Sequence, residues 1–277
     1  MNGIHRLLSI VSIVSLATGC ATFSPPAEKP ELRGDATPLP TTRTRDTLAS
    51  LPPPKGPIAV SVYAVKDQTG QYKPAPSNSF STAVMQGATA VLVKALLDSK
   101  WFVPLEREGL QNLLTERKII RAAKNPNRKK IPTLASASLI IEGSIIAYDS
   151  NIRTGGAGAR YLGIGISQQY REDQVTINLR AVDVRTGRIL HSVTSTKTIF
   201  SRQLDSGIFG YIRFGKLLEV ETGYSYNEPA QLCVMDAIES ALIQLIAEGI
   251  QRGTWKLKNP EDISHPVFAR FGGNWKG

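Results

Sequence analysis

Between residues 58 and 148 the apolar pattern of this 277-residue chain switches repeatedly between strand-like and helix-like spacing, and that alternation limits its fold more than composition does. Ile58 to Val65 (IAVSVYAV) is an uninterrupted run rich in β-branched residues, as expected of a strand covered on both faces. Ser81 to Lys100 changes to helical spacing, with Val84, Ala88, Val91, Leu92, Ala95 and Leu96 on one stripe. Trp101 to Leu105 is a second short strand. Glu106 to Ala123 is a second amphipathic helix through Leu110, Leu113, Leu114 and Ile120, and Leu139 to Tyr148 is a third strand. Strand, helix, strand, helix, strand is the pattern of an α/β domain with a mixed sheet and flanking helices.

Further on, Gln174 to Val184 and Arg188 to Ile199 alternate as strands around Arg185, Thr186 and Gly187, which reads as a hairpin. Asn227 and Glu228 precede Pro229, and Leu232, Met235, Ile238, Leu242, Leu245 and Ile246 follow on one stripe. Proline at the first helical position after a capping residue predicts a helix start there, ending near Gly253. Charges or amides interrupt every apolar stretch of the mature chain, so no transmembrane helix is expected. Cys233 falls on the helical pattern as a small buried apolar residue.

The N-terminus carries His5 and Arg6, an apolar run from Leu7 to Ala17, and then Thr18, Gly19 and Cys20. The run is too short to span a bilayer, and its small-residue end marks a processing site, so 1–19 reads as a signal peptide. A mature chain starting at Cys20 resembles a bacterial lipoprotein with diacylglyceryl on that cysteine. Leu16 stands four residues before Cys20 where that signal usually has Leu three before. An ordinary signal peptide followed by a free thiol is the other reading. Ala21 is not the aspartate that retains lipoproteins at the inner membrane, which favours the outer membrane. With Cys20 acylated, Cys233 has no partner and the chain forgoes disulfides. Residues 20–57 are rich in proline with little apolar periodicity and read as a lipidated extended tether.

Two segments do not suit a body surrounded by water. Residues 153–172 carry glycines at 155, 156, 158, 163 and 165, but neither GxxxxGK[ST] nor a complete GxGxxG occurs, so no phosphate loop is formed. Residues 200–227 hold six of the chain's 19 aromatics: Phe200, Phe209, Tyr211, Phe214, Tyr224 and Tyr226. About ten residues up and ten back, with aromatics near the ends and Phe209 and Tyr211 on one strand face, matches the signature of a membrane β-hairpin. In 153–172, Leu162, Ile164 and Ile166 alternate with Gly163 and Gly165 in the same way. A flexible loop for the first segment and a capping hairpin or interface loop for the second are the alternatives. Two hairpins supply only four strands, whose edges hydrocarbon does not tolerate, so insertion requires several subunits to close one barrel.

Charge and composition exclude more than they select. The net charge is +10, and removing 1–19 takes away one Arg, leaving +9. The excess is scattered apart from Arg128, Lys129 and Lys130, without the interleaved aromatics of a nucleic-acid face. An enzyme is not supported: His191 and His265 stand far apart, with no HExxH, Cys/His cluster or GxSxG. No cofactor is expected beyond the lipid on Cys20.

The strings VSVY at Val60, QYKPAPSNSFSTAV from Gln71, WFVPLEREGLQNLLTERKIIRAA from Trp101, EGSII at Glu142, GGAGARYLGIG from Gly155 and SYNEP at Ser225 closely resemble the curli secretion channel, the CsgG-type outer-membrane lipoprotein family. The resemblance implies a homo-oligomeric ring of about nine subunits. Each would have a periplasmic α/β domain in two parts, 58–152 and 173–199, joined by the C-terminal helix 228–258 and a tail 259–277. The membrane hairpins would be 153–172 and 200–227, with Leu162, Phe209 and Tyr211 facing lipid. Four strands from each of nine subunits give 36, the largest barrel size known. The family passes unfolded amyloid subunits without nucleotide, alongside a periplasmic adaptor and a surface nucleator of CsgE and CsgF type.

The family's constriction loop corresponds to 71–81. There Ala75 stands where the family has tyrosine, Ser79 where it has asparagine, and Phe80 keeps the phenylalanine. The resemblance therefore implies a pore wider and less aromatic at the Ala75 level. Pro74 and Pro76 still stiffen the loop by fixing φ. Read without the family, Phe80 staples a helix starting at Ser81. A soluble periplasmic lipoprotein that binds a partner and never inserts is the competing functional reading.

Overall fold

A computed structural model of the chain describes residues 42–73, 81–123, 131–154, 169–205, 208–212 and 229–271. Its elements are helix α1 (Arg43–Ala49), strands β1 (Ile58–Ser61) and β2 (Val65–Asp67), α2 (Ala88–Ser99), β3 (Phe102–Leu105) and α3 (Leu110–Ala122). Then come β4 (Leu139–Thr154), β5 (Gln169–Asp183), β6 (Ile189–Asp205), β7 (Ile208–Ile212), α4 (Pro229–Gln251), a 3₁₀ turn (Pro260–Ser264) and α5 (Pro266–Phe271).

The strands form one mixed sheet in the order β3-β1-β4-β5-β6-β7, with β2 added beside β4. β1 runs parallel to both β3 and β4, as short strands joined by crossovers must. From β4 to β7 the sheet is an antiparallel meander. The expected α/β domain with a mixed sheet and flanking helices is therefore present.

Alternation along the long strands builds the core. On β5, Asp173, Val175, Ile177, Leu179 and Ala181 are buried, and the residues between them are more open. α4 packs on this face against β5 and β6, and α2 and α1 pack in turn against α4. Ile238, Leu242 and Ile246 of α4 are each 0% exposed, and burying each such side chain contributes about 1.5–3 kcal/mol. Ala230–Gln251 is long and apolar enough to cross a membrane by length and composition. The expectation that charge cuts every apolar stretch short of span length is thus corrected. Asp236, Glu239 and Glu248 lie on this helix, yet two of them are buried and paired within the protein rather than breaking the stripe. The sheet and helices, not lipid, cover most of it.

Several boundaries differ from the expectations. The run Ile58–Val65 forms two strands, because Tyr63 and Ala64 turn outward between β1 and β2. α2 begins at Ala88, not Ser81, since 81–85 is engaged in other pairing. Of the tether 20–57, residues 42–57 belong to the folded body. The Thr42 hydroxyl caps α1 by accepting from the Arg45 amide at 2.9 Å, and Leu48 is fully buried. Pro52 then accepts from the indole of buried Trp101 at 2.9 Å. Of the tail 259–277, the residues through Phe271 are described, with Phe268 of α5 buried.

The 183–189 hairpin falls where expected. Gly187 has φ +70°, a value glycine adopts without strain. The Thr186 hydroxyl and amide both donate to Asp183 at 2.7 Å, holding its carboxyl below the usual range.

Candidate functional site

The seven residues 74–80, which include Ala75, Ser79 and Phe80, lie outside the described residues, but both legs of their loop are described. The first leg leaves β2 and turns at Gly70, φ +64°, before Gln71–Lys73. The second leg, Ser81–Ala83, runs antiparallel to it. The Lys73 amide donates to the Ser81 carbonyl at 2.8 Å and the Ala83 amide to the Gln71 carbonyl at 2.9 Å. The two ends of the loop are therefore held together at a neck that follows β2. Phe80 precedes the first residue of α2 by eight positions, with Gly87 as the cap. A staple needs the residue just before the cap, so the reading in which Phe80 staples that helix does not hold.

Side chains reinforce the neck. Asp67 Oδ1 accepts from the Thr69 amide at 2.9 Å and the Thr69 hydroxyl at 2.7 Å. Gln86 Nε2 lies 3.3 Å from Asp67 Oδ2 and 3.1 Å from the Thr82 hydroxyl, which itself donates to the Val84 carbonyl at 2.9 Å. None of these polar residues was singled out from sequence. Only their position on either side of a proline-stiffened loop could have drawn attention to them.

Two ladders run into the segments expected as hairpins. β4 and β5 stay paired to Thr154↔Gln169, well past the stretch that packs on α4, and Leu162 falls in 155–168, outside the described residues. β6 pairs with β7 from Phe200↔Ile212 to Asp205↔Ile208. Phe209 lies opposite Gln203 and Tyr211 opposite Ser201. The chain thus reverses between Asp205 and Ile208, nearer the start of 200–227 than ten residues up and ten back implies. Cys20 lies outside the described residues.

The sheet face turned away from α4 is polar. Thr176 and Thr196 hydroxyls meet at 3.0 Å, Asn178 donates to the Val193 carbonyl at 3.0 Å, and Arg180 pairs with Glu142 at 2.7 Å. A groove of about 270 Å³ on this face, lined by Tyr63, Lys66, Gln68, Glu142, Asn178 and Arg180, runs beside β2, from which the loop departs.

The remaining titratable groups serve packing. Burial pushes the Cys233 thiol up to about 12, leaving it an inert thiol with its Sγ 3.2 Å from the Lys197 carbonyl oxygen. His191 is buried, with Nε2 2.9 Å from the Thr254 hydroxyl and its ring edge-on to Trp255, and burial holds it below its ordinary value despite Glu248. His265 sits apart, between the 3₁₀ turn and α5. Among the described residues no group of three or more His, Cys, Asp or Glu side chains could hold a metal ion.

The described site thus comprises the paired legs of the 74–80 loop and two antiparallel ladders, β4 with β5 and β6 with β7. The family model "Curli production assembly/transport component CsgG" matches residues 42–271. The chain belongs to the CsgG family. It is 50% identical over 273 residues to CsgG of Salmonella typhimurium, covering 96% of each chain. CsgG of Escherichia coli K12 is 48% identical over 274 residues, and that of Citrobacter koseri 49%, again over 96% of both chains. The CsgG match starts at the cap of α1 and ends at the last residue of α5. The whole body, including the 42–57 segment expected as tether, is thus the family's domain.

Proposed function

We propose that this chain is the subunit of an outer-membrane lipoprotein ring that secretes unfolded, amyloid-forming curli-type subunits through a narrow constriction without nucleotide. The observation that carries the reading is the CsgG match, which spans the body and both segments expected as hairpins. Acylation at Cys20 would deliver each subunit to the outer membrane. About nine subunits would place four strands each, from 153–172 and 200–227, into one barrel. Closure leaves no strand edge in hydrocarbon. Leu162, Phe209 and Tyr211 would meet lipid, where a charge is costly.

The 74–80 loops of all subunits would converge on the axis. A ring of Phe80 side chains admits an extended polypeptide and excludes a folded domain, and aromatic faces contact passing side chains without sequence preference. Ala75 and Ser79 would leave the level below more open. A periplasmic adaptor and a surface nucleator would load and receive the cargo.

The test is recovery and conductance. Detergent extracts of outer membranes should yield heat-modifiable, ring-sized oligomers that conduct in planar bilayers. Phe80→Ala should raise unitary conductance and impair cargo secretion. Monomers alone, released when Cys20 is replaced, would overturn the channel reading in favour of a soluble lipoprotein that binds a partner.

A further inference from the structure

We infer that Gln86, acting with Asp67 and Thr82, is a positioning residue that fixes the width of the pore by fastening the two legs of the 74–80 loop to each other. This rests on reading that loop as the constriction. Among the described residues the neck has two backbone hydrogen bonds, Lys73 to Ser81 and Ala83 to Gln71. A two-stranded pairing that short is marginal by itself in water.

The side chains below the neck supply what the backbone lacks. On the first leg, the Gln71 amide donates to the Thr69 hydroxyl oxygen at 3.3 Å, and Thr69 donates twice to Asp67 Oδ1. On the second leg, the Thr82 hydroxyl donates to the Val84 carbonyl, which leaves its lone pairs facing Gln86. The Gln86 amide nitrogen reaches Asp67 Oδ2 at 3.3 Å on one side and Thr82 Oγ1 at 3.1 Å and the Val84 carbonyl at 3.4 Å on the other. A continuous run of donors and acceptors therefore crosses from leg to leg through one side chain.

The chemistry requires a donor at 86. Every atom the amide nitrogen approaches is an acceptor: a carboxylate, a hydroxyl oxygen already donating elsewhere, and a carbonyl. A carboxylate at 86 would face Asp67 Oδ2 with like charge and no proton to share. Gln86 is exposed, and the core beneath α4 does not touch it, so replacing it alters the loop and leaves the body intact.

The experiment uses the full lipidated chain, extracted as rings and recorded in planar bilayers in potassium chloride. Gln86→Glu and Thr82→Val should assemble with parental yield and thermal midpoint, yet show open-channel current noise at least twofold above the parent and a shifted unitary conductance. Thr82→Ser, which keeps the hydroxyl, should restore parental noise. Parental noise and conductance in both variants would overturn the inference while leaving the channel reading standing. So would failure of both variants to form rings, because Gln86 would then act in assembly. If the unsubstituted chain forms rings that carry no current, the channel reading itself fails.

Discussion

α3 and α4 are both apolar-striped helices in sequence, yet they end in opposite surroundings. α4 is enclosed by β5, β6, α2 and α1, with residue after residue fully buried. α3 has no buried residue at all, and Ile119 and Ile120 are 56% and 46% exposed. An amphipathic stripe reports that a helix has a face to cover; it does not report what covers it. Length and charge separate the two. α4 runs 23 residues and points its acids at partners, whereas α3 runs 13 and carries Glu116, Arg117, Lys118 and Arg121 around its stripe.

Substitutions sharpen that contrast. The largest effect should come from Leu242→Asp, which puts an unpaired charge into the centre of the core and should abolish folding, read as loss of the cooperative thermal transition. Leu242→Ala should lower stability by about 2–5 kcal/mol in denaturant titration. Gly249→Ala follows. A Cβ there would stand 2.3 Å from the Trp255 ring, which is itself pinned edge-on by Phe102 at 5.5 Å, so the cost should be about 1–3 kcal/mol. At the small end, Ile120→Ser on α3 should change the stability of the body by no more than about 0.5 kcal/mol. A loss comparable to that of Leu242→Ala would mean that α3 packs on the body after all.

A pH dependence tests how tightly α4 holds its neighbours. Burial pushes the Glu239 carboxyl up to about 7, with Asp236 and Asp98 adding to it and the donating Thr42 hydroxyl and Arg45 opposing. Asp98 is paired with both Arg45 and Lys94, and Asp236 with Lys197. A carboxyl raised in the folded state contributes stability that is full below its ordinary value of 4.5 and lost as pH rises through about 7. The thermal midpoint should therefore fall between about pH 4.5 and 7, and Glu239→Gln should flatten that fall. A parental slope in the variant would assign the dependence to another group.

Much of the architecture was legible because it rests on periodicity. β3, the 183–189 hairpin, Pro229 as the start of α4 and the buried Cys233 all follow from local pattern and turn chemistry. Missed features depend on distant partners. Thr42–Pro57 looks like a linker because its prolines remove amide donors, but Leu48 and Pro52 find α4 and Trp101 far along the chain. Val84 and Ala83 fit a helical stripe from Ser81, yet the Ala83 amide is spent on Gln71 and the helix waits until Ala88. The loop 71–81 stands out in sequence by its prolines, whereas the contacts of Gln86 with Asp67 and Thr82 do not, since one exposed glutamine carries no pattern.

The first and last parts of the body meet. Thr42 hydrogen bonds to Glu239, 197 residues away, and Pro54 bridges Leu257, with the Lys55 amide donating to the Lys256 carbonyl at 2.8 Å and the Lys258 amide to the Pro53 carbonyl at 2.9 Å. This closure sets an order in time. The N-terminal segment has no docking place until the last stretch is present, and such distant pairings make folding slow. The body therefore cannot close before its C-terminal segment is available, so its two ends fold together or not at all.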